Sequence, residues 1–424
     1  MQSIAVIGGG ITGVTTAYAL AQRGFSVTLF ERQRYAAMET SFANGGQLSA
    51  SNAEVWNHWS TVWKGMKWML RSDAPLLVNP KPTWHKLSWF AQFVAQIGNY
   101  RHNTVETTRL AIAARQHLFA WAAAEGIDFD LQRKGILHIY RDKAGFDHAA
   151  EVSKLLAEGG LPRRAVTPEE MRAIEPTLAG TYFGGFYTES DATGDIHKFT
   201  HGLAAAAVRA GVCILYGQQV ARLHSDGRTA SVTVAASPAD GTIEAVHRFD
   251  GLVVCAGVGS RDFAAQLGDR VNVYPVKGYS ITVNLQDAAS QAAAPTVSLL
   301  DDETKLVTSR LGTDRFRVAG TAEFNGANRD IRADRIRPLV DWVNQCFPGV
   351  NTRQVVPWAG LRPMMPNLMP RVGPGRRANV FYNTGHGHLG WTLSAATAEM
   401  VAEQMLQARG AAGAGRIAVA AALA

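Results

Sequence analysis

The first 31 residues constrain the fold more than any other part of the chain. Ile4 to Ile7 form a short apolar run that ends in glycine, which is typical of a buried parallel strand. Three glycines follow with the spacing G-x-G-x-x-G, and a helical run then leads to a second apolar segment that ends at Glu31. This order predicts a strand, a glycine turn, a helix and a second strand, the unit that opens a doubly wound α/β domain.

Each glycine of the turn has its own physical role. Gly8 allows the tight turn, Gly10 lets a pyrophosphate approach the backbone, and Gly13 lets the helix pack on the strand. The phosphates are then expected at the positive end of the helix, beside Ile11 and Thr12. The turn therefore indicates a dinucleotide site.

Glu31 lies at roughly the 20-residue offset at which such sites carry an acid. Its carboxylate can accept hydrogen bonds from the adenosine ribose, and Arg32 stands beside it. A negative charge here disfavours the 2′-phosphate of NADP. The choice between NAD and FAD depends on the rest of the chain.

Composition sets the size and class of the protein. The chain has 424 residues, 47% hydrophobic and 18% charged, which predicts a two-domain globular protein and argues against disorder. The net charge of +7 suits a polyanionic partner or a basic surface without a partner. No basic cluster is dense enough for nucleic acid, so no nucleic-acid partner is expected.

The three cysteines form no metal or disulfide pattern. Cys213, Cys255 and Cys346 include no C-x-x-C pair, so we expect no metal site and a cytosolic location. Cys213 and Cys255 lie in apolar runs and are expected to be small core residues. No stretch is long enough to span a bilayer.

Two further segments have unusual composition. Residues 38–49 form a polar loop with two adjacent glycines, and it can either reach the second part of a dinucleotide or be an ordinary surface loop. Residues 56–99 hold six of the ten tryptophans, interleaved with basic residues. This mixture suits a membrane interface, with a lid or packing element as the alternative. The residues concerned are Trp56, Trp59, Trp63, Trp68, Trp84 and Trp89, with Lys64, Lys67, Arg71, Lys81 and Lys86.

Alternating helix and strand patterns typical of a nucleotide-binding domain occur again in the middle and at the end of the chain. Helices are predicted over 104–124, 143–158 and 332–346 and from 393 to about 408, followed by a loosely held tail at 410–424. The predicted nucleotide-binding domain is discontinuous and comprises residues 1–51, 191–270 and 357–424. Residues 52–190 and 271–356 are then expected to form the substrate-binding domain.

Motifs along nearly the whole chain resemble one enzyme family. They are the N-terminal glycines with Glu31, residues 39–41 and 44–47, Tyr274-Pro275 with residues 277–280, residues 360–364, and residues 383–387 with 389–392. The chain resembles the bacterial D-amino acid dehydrogenases (small subunit type), within the superfamily that also holds D-amino acid oxidase, glycine oxidase and sarcosine oxidase. The resemblance implies an α/β fold, with a Rossmann-type, glutathione-reductase-like FAD-binding domain and an inserted α+β substrate domain on a mainly antiparallel sheet.

The resemblance also implies the cofactor and its site. FAD is expected in an extended pose, with residues 385–392 against the isoalloxazine ring. No cysteine lies near residues 361–392 or 41–47, so the FAD is expected to be non-covalent. Besides the N-terminal turn, the expected contacts are Glu31, Arg32, Thr40, Ser41, Asn44, Gly45, Gln47, Leu48, Val220, Ala256, Gly257, Gly360, Arg362, Gly385, Gly387, His388, Leu389, Gly390, Trp391 and Thr392.

An arginine, two tyrosines and two histidines are the candidates for a role toward the substrate. The resemblance implies that Arg362 binds the substrate carboxylate, for which a guanidinium is well shaped. Tyr279 and Tyr274 are candidates to line the pocket. His388 lies where several relatives carry another residue, and it and His386 could aid deprotonation of the substrate or be structural. Residues 365–370 are more apolar than the family pattern, which leaves the preferred side chain open.

The implied reaction is oxidative deamination of D-amino acids to 2-oxo acids and ammonia. Electrons are expected to pass to a quinone or another acceptor rather than oxygen. A cytoplasmic location is expected, with a peripheral contact with the cytoplasmic face of the inner membrane as a further expectation. The alternatives are a dehydrogenase or oxidase of a cyclic or N-alkyl amino acid, such as D-proline, hydroxyproline, glycine or sarcosine, and a flavin-carrying subunit without catalysis.

Overall fold

A computed structural model describes residues 2–68, 75–236 and 244–422, with the backbone alone for residues 64, 66–68 and 411–422. Arg71 lies outside the described residues, as do the side chains of Lys64, Lys67 and Trp68. The helices are α1 Ile11–Gln22, α2 Trp59–Trp68, α3 Trp84–Ala95, α4 Tyr100–Glu125, α5 Lys143–Glu158, α6 Pro168–Ile174, α7 Ile196–Arg209, α8 Ser260–Gln266, α9 Ala288–Ala293, α10 Ala333–Cys346 and α11 Gly390–Ala422.

The strands fall into two large sheets and two small ones. They are β1 Ser3–Ile7, β2 Ser26–Phe30, β3 Gln47–Leu48, β4 Leu76–Val78, β5 Ile136–Tyr140, β6 Arg164–Val166, β7 Gly184–Thr188, β8 Ala192–Thr193, β9 Cys213–Leu215, β10 Val220–Ser225, β11 Ala230–Val234, β12 Ala245–Phe249, β13 Gly251–Val254, β14 Tyr274–Asn284, β15 Ser298–Asp301, β16 Leu306–Leu311, β17 Arg315–Phe324, β18 Val355–Met364, β19 Arg371–Pro374 and β20 Val380–Thr384.

The first large sheet has the doubly wound arrangement predicted from the N-terminal residues. Its order is β19-β20-β13-β1-β2-β9, and all neighbours are parallel except the edge pair β19 and β20. Numbered by appearance in this sheet, the parallel strands run 3-2-1-4-5, so the order reverses between β1 and β13. Ligands of open α/β sheets bind at this reversal, beyond the carboxyl ends of the strands.

The second large sheet is mainly antiparallel. Its order is β18-β14-β17-β16-β15-β5-β7-β6, with β4 added beside β17, and only the pairs β15–β5 and β17–β4 are parallel. Helix α10 buries Leu339, Trp342 and Val343 in the core of this sheet. The boundary predicted at residue 357 falls inside β18, which pairs along its length with β14. The exact division into domains therefore remains a prediction.

Two expectations were wrong. Cys213 is exposed because β9 is the edge strand of the parallel sheet, whereas Cys255 is buried. The C-terminal helix begins at Gly390 and continues to Ala422, through residues predicted to be a tail. The prediction gave weight to the glycines there, but alanine is the strongest helix former.

A buried ion pair holds the segment that follows β3. Asp191 accepts hydrogen bonds from Arg115 Nη1 at 2.7 Å and from the backbone N–H groups of Ala50 and Ser51 at 3.1 Å each. The side chain of Asp191 is fully buried, and that of Arg115 is 13% exposed. Burial raises the pKa of Asp191, while Ser51 and Arg115 oppose this effect.

We expect Asp191→Ala to destabilise the fold by about 3–5 kcal/mol, because it leaves a buried cation and two backbone donors without their acceptor. Thermal unfolding of the purified variant should show a Tm lower by several degrees. The control is Glu169→Ala, which removes an exposed ion pair with Arg172 and should cost less than about 1 kcal/mol. Equal effects of the two substitutions would contradict this assignment.

Candidate active site

One large cavity lies where the two large sheets meet. Its volume is about 860 Å³, near the upper end of the range of about 300–1,000 Å³ for ligand pockets. The carboxyl ends of β1, β2, β13 and β20 open onto it from one side, and residues of β14, β17 and β18 line the other. The cavity therefore lies at the strand reversal and extends to the second sheet.

Most of the predicted site residues line this cavity. The lining members are Gly8, Gly10, Ile11, Thr12, Glu31, Arg32, Thr40, Ser41, Asn44, Gly45, Gln47, Val220, Ala256, Gly257, Tyr279, Gly360, Arg362, Gly385, Gly387, His388, Leu389, Gly390, Trp391 and Thr392. Gly13 and Leu48 do not line it, and Leu48 packs in the core of the parallel sheet. Tyr274 also does not line it and lies in an aromatic cluster with Trp89 and Phe324.

The glycine turn has the geometry that its sequence predicts. Gly8 has φ +109°, and a Cβ there would lie 2.7 Å from the carbonyl oxygen of Cys255. A Cβ on Gly13 would lie 1.8 Å from the carbonyl oxygen of Gly8, so only glycine lets α1 approach β1 this closely. A Cβ on Gly10 would meet only Ser41 Oγ, at 3.5 Å. Space for a pyrophosphate therefore remains at the N-terminus of α1.

Glu31 lies buried beside this turn. Its Oε2 accepts a hydrogen bond from the Gly9 N–H at 2.6 Å, and its Oε1 accepts one from the Gln33 N–H at 2.8 Å. Burial raises the pKa of Glu31, and these backbone donors counteract the rise. Arg32 pairs with Glu39 at 2.6 Å, and Glu39 also pairs with Arg329 at 2.5 Å across the cavity edge.

The polar loop after Glu31 is fixed against the second sheet. Thr40 Oγ1 donates to the carbonyl of Leu361 at 2.8 Å. Gln47 Nε2 donates to the carbonyls of Leu299 and Thr308, at 2.9 and 3.0 Å. The loop thus links the two sheets along the cavity instead of being an ordinary surface loop.

Residues 385–392 form a glycine-rich turn that opens the last helix. Gly385 and Gly387 have φ +78° and +60°, which is the region that favours glycine. The buried Trp391 Nε1 and His388 Nε2 have no hydrogen-bond partner within the described part of the chain. Gln47 Oε1 is likewise buried and without a partner there. These unused polar atoms fit a site for a polar dinucleotide that extends from α1 to α11.

Arg362 is a cation that has no acidic partner among the described residues. Its Nη1 donates to the carbonyl of Thr321 at 2.6 Å, and its Nη2 lies 3.4 Å from that of Gly320. Burial lowers the pKa of Arg362 to about 10, so the side chain remains charged at neutral pH. A cavity that holds such a cation can bind a carboxylate with both oxygens.

Tyr279 contributes to the cavity wall with its hydroxyl already engaged. The hydroxyl donates to Glu323 Oε2 at 2.6 Å, and Glu323 Oε1 lies 3.3 Å from Lys277 Nζ. Burial, followed by the neighbouring Glu323, raises the pKa of Tyr279. The tyrosine is therefore held neutral, with its O–H group pointing at a carboxylate.

The two histidines of the last turn are neutral at physiological pH. The His388 ring stacks on Trp56, with 4.6 Å between the ring centroids and 19° between the planes. Burial, assisted by the charge of Arg362, lowers its pKa to about 3. His386 Nε2 shares a hydrogen bond with Thr397 Oγ1 at 2.9 Å, and burial lowers its pKa to about 3 as well. Neither imidazole is a strong base in this state.

The tryptophans of residues 56–99 lie in different environments. Trp56 lines the cavity and Trp89 is buried, whereas Trp59, Trp63 and Trp84 are 54%, 62% and 83% exposed. Lys86 is buried and donates to the carbonyls of Asn79 and Lys81. Lys86 therefore does not contribute to the basic surface that its position in the sequence suggested.

Several lining residues were not predicted. Glu54, Trp56, His148, Lys305 and Thr321 all face the cavity, most of them near Arg362 and His388. Only Trp56 lies in a segment whose composition is unusual. The others come from separate elements that approach one another only in the folded chain. No cluster of three or more potential metal ligands occurs in residues 2–68, 75–236 and 244–422. Within the same ranges, no helix is long and apolar enough to cross a membrane.

The low pKa of His386 predicts acid sensitivity. In the unfolded chain His386 takes up a proton near pH 6.5, whereas in the folded chain it does so only near pH 3. The contribution of neutral His386 to the free energy of unfolding is therefore complete above pH 6.5 and is lost as the pH falls toward 3. Between pH 7.5 and pH 5 we expect the Tm of His386→Asn to decrease less than the Tm of the unmodified protein. His224→Asn, at an exposed position of β10, is the control. Parallel Tm curves for the His386 variant and the unmodified protein would contradict the shift.

Curated proteins are similar to this chain along nearly its whole length. Curated relatives include D-amino acid dehydrogenase 3 of Mesorhizobium japonicum, 65% identical over 95% of this chain and 96% of the relative. A D-amino acid dehydrogenase of Paramagnetospirillum magneticum is 42% identical over 94% of each chain.

Solved structures share the fold at low sequence identity. Glycine oxidase from Geobacillus kaustophilus matches with a TM-score of 0.70 and 22% identity, over 96% of this chain and 95% of its own. L-Proline dehydrogenase from P. horikoshii matches with a TM-score of 0.73 and 17% identity, over 96% and 93%. The predicted α/β fold class is thereby confirmed.

The model of the FAD dependent oxidoreductase family, DAO, matches residues 3–404. This range includes both large sheets and the whole cavity. FAD is therefore the cofactor of this protein. The chain belongs to the DAO family of FAD-dependent oxidoreductases.

Proposed function

We propose that this protein oxidises D-amino acids to 2-oxo acids and ammonia and passes the electrons to a quinone or another acceptor that is not oxygen. The single observation that carries the proposal is Arg362, a cation on the cavity wall that none of the described carboxylates neutralises. The D configuration is supported by the names of relatives that are 65% and 42% identical.

Residues of the α1 turn and of the 385–392 segment would hold the cofactor, and bound flavin would supply the oxidation by accepting at N5 a hydride from the substrate Cα. The chain supplies binding and orientation. Arg362 binds the substrate carboxylate, while the stacked pair of Trp56 and His388 forms a wall of the pocket. Tyr279 contributes its ring to the wall, because its hydroxyl is bonded to Glu323.

No side chain is assigned as the base. The amine must be neutral for its lone pair to assist the departure of the hydride, but pKa values of about 3 make His386 and His388 weak proton acceptors. The substrate therefore binds as the free amine or gives its proton to solvent. The resulting imine reacts with water to give the 2-oxo acid and ammonia.

An anaerobic screen over D-, L- and N-alkyl amino acids tests the reaction. We expect D-amino acids to bleach the visible absorbance of the bound flavin within seconds, with 2-oxo acid formed in equal amount. Bleaching by L-amino acids alone would contradict the proposal, and bleaching by N-alkyl or cyclic substrates alone would favour the other dehydrogenases. Hydrogen peroxide formed at the turnover rate in air would identify an oxidase, and no bleaching by any substrate would indicate a non-catalytic flavin subunit.

Arg362→Ala should lower kcat/KM by about 10²-fold or more, mainly through a higher KM, because it removes charged hydrogen bonds to the carboxylate. The kcat/KM of Arg362→Lys should lie between those of Arg362→Ala and the unmodified protein, since lysine keeps the charge but cannot bind both carboxylate oxygens with paired N–H groups. Arg172→Ala, at an exposed position of α6, is the matched control and should be unchanged. A normal KM for Arg362→Ala would remove the basis of the proposal.

We also propose a cytosolic protein that binds the inner membrane peripherally through α2 and the start of α3. Trp59 and Trp63 are four residues apart and so share one face of α2, and both are exposed. Trp84, at the start of α3, is the most exposed of the three. Exposed tryptophans with nearby lysines suit the interface of an anionic bilayer.

Co-sedimentation with anionic liposomes tests this contact. The unmodified protein should bind at low salt and less at high salt, and the triple variant Trp59→Ser, Trp63→Ser, Trp84→Ser should bind at least tenfold more weakly. Val246→Ser removes an apolar side chain that is 60% exposed on β12 and should leave binding unchanged. If the unmodified protein does not bind at low salt, the segment is a lid or packing element.

A further inference from the structure

The guanidinium of Arg362 occupies the place where another residue would have a side chain. A Cβ built on Gly278 would lie 2.4 Å from Cζ and Nη2 of Arg362 and 2.8 Å from Nη1. Gly278 is in β14, and Arg362 is on the neighbouring strand β18, two positions from the partner of Gly278. Any residue larger than glycine at position 278 would therefore displace the guanidinium.

An irregularity in the next strand supplies the hydrogen-bond acceptors. Between β14 and β17 the register shifts, since Lys277 pairs with Glu323 whereas Tyr279 pairs with Gly320. Thr321 lies in this bulge with φ +55°, in the left-handed region that β-branched residues avoid. Its carbonyl accepts from Arg362 Nη1, and the carbonyl of Gly320 faces Nη2.

The strain at Thr321 is not isolated. Lys305 also has a positive φ, +56°, and its carbonyl oxygen would lie 2.5 Å from a Cβ on Gly320. One left-handed residue other than glycine, Thr321, thus carries a carbonyl that faces Arg362, and another, Lys305, lies against Gly320, which carries the second carbonyl. Strained backbone of this kind persists where the surrounding structure holds it, and it is concentrated at binding sites.

The chemistry of these acceptors is suited to a carboxylate-binding arginine. A carboxylate partner would orient the guanidinium equally well, but it would cancel the charge that the substrate must meet. Backbone carbonyls carry only a dipole, so they fix the plane of the guanidinium and leave its full positive charge. None of the described carboxylates makes an ion pair with Arg362, in agreement with this logic.

We infer that Gly278 and the Thr321 bulge are positioning residues that form an uncharged seat for Arg362. Gly278 provides the space, and the bulge turns two carbonyls toward the guanidinium. The seat sets the direction in which the remaining N–H groups meet the substrate carboxylate. This inference rests on the proposed role of Arg362 as the carboxylate ligand.

The test uses the FAD-loaded protein and propionate, a carboxylate without an amine, as the binding probe. Gly278→Ala should raise the Kd of propionate, measured from the change in the flavin spectrum, and the KM of the amino acid at least tenfold. The value of kcat should change less, and the FAD content and Tm should stay near those of the unmodified protein. Gly98→Ala is the matched control, because nothing lies within 4 Å of a Cβ at that exposed site.

A double-mutant cycle separates positioning from a general structural effect. In an Arg362→Ala background, Gly278→Ala should have no further effect on propionate binding, because the group that it displaces is gone. If Arg362→Ala binds propionate normally, the proposed function fails. If Arg362→Ala loses binding while Gly278→Ala keeps it, or if the two losses are additive, the inference about the seat fails and the proposed function stands.

Thr321→Gly tests the bulge independently of whether Gly278→Ala folds. Glycine adopts a positive φ without strain and retains the carbonyl, so the propionate Kd should stay within threefold. A tenfold weaker binding would show that the threonine side chain is needed and would overturn the role assigned to the backbone.

Discussion

Strands β1 and β13 lie side by side in the parallel sheet, and the strand order reverses between them. Their carboxyl ends therefore open the crevice in which ligands of such sheets bind. The close approach of Gly13 to the carbonyl of Gly8 brings the N-terminus of α1 to one side of this crevice. The rest of the site is arranged around it, because the cavity begins at this turn and extends to the face of the antiparallel sheet.

The antiparallel sheet lines the end of the cavity that differs chemically from the glycine turn. At the glycine turn the wall offers backbone N–H groups and a helix N-terminus, which suit phosphate. Near Arg362 it offers a positive charge that makes no ion pair with a described carboxylate, beside two histidines, His386 and His388, whose pKa values burial lowers to about 3. A carboxylate that enters this end meets a cation that forms no ion pair with the described acids. The two ends are thus suited to different anions by different means.

The fold was predicted best where its determinants lie close together in the chain. The glycine turn between β1 and α1 and the helix α5 are of this kind, because spacing and helix propensity within a few turns decide them. The environment of Cys213 could not be predicted in this way, because the edge position of β9 follows from the order of strands. The predicted C-terminal helix was too short because the prediction gave more weight to the glycines than to the surrounding alanines.

The site was less predictable than the fold for the same reason. Arg362 was identified through its motif, but its acceptors come from a bulge at Thr321 that no pattern in the sequence marks. The hydroxyl of Tyr279 pairs with Glu323, 44 residues away along the chain. Such pairings depend on strand register, which shifts by one residue between β14 and β17. Local sequence patterns do not contain that information.

The most direct test of the central claim is a crystal structure of the protein with FAD and propionate bound. The pyrophosphate should lie at the N-terminus of α1, the isoalloxazine ring against residues 385–392, and both propionate oxygens about 3 Å from the Arg362 guanidinium. A flavin ring placed away from residues 385–392, or a propionate that is bound by another cation, would contradict the account.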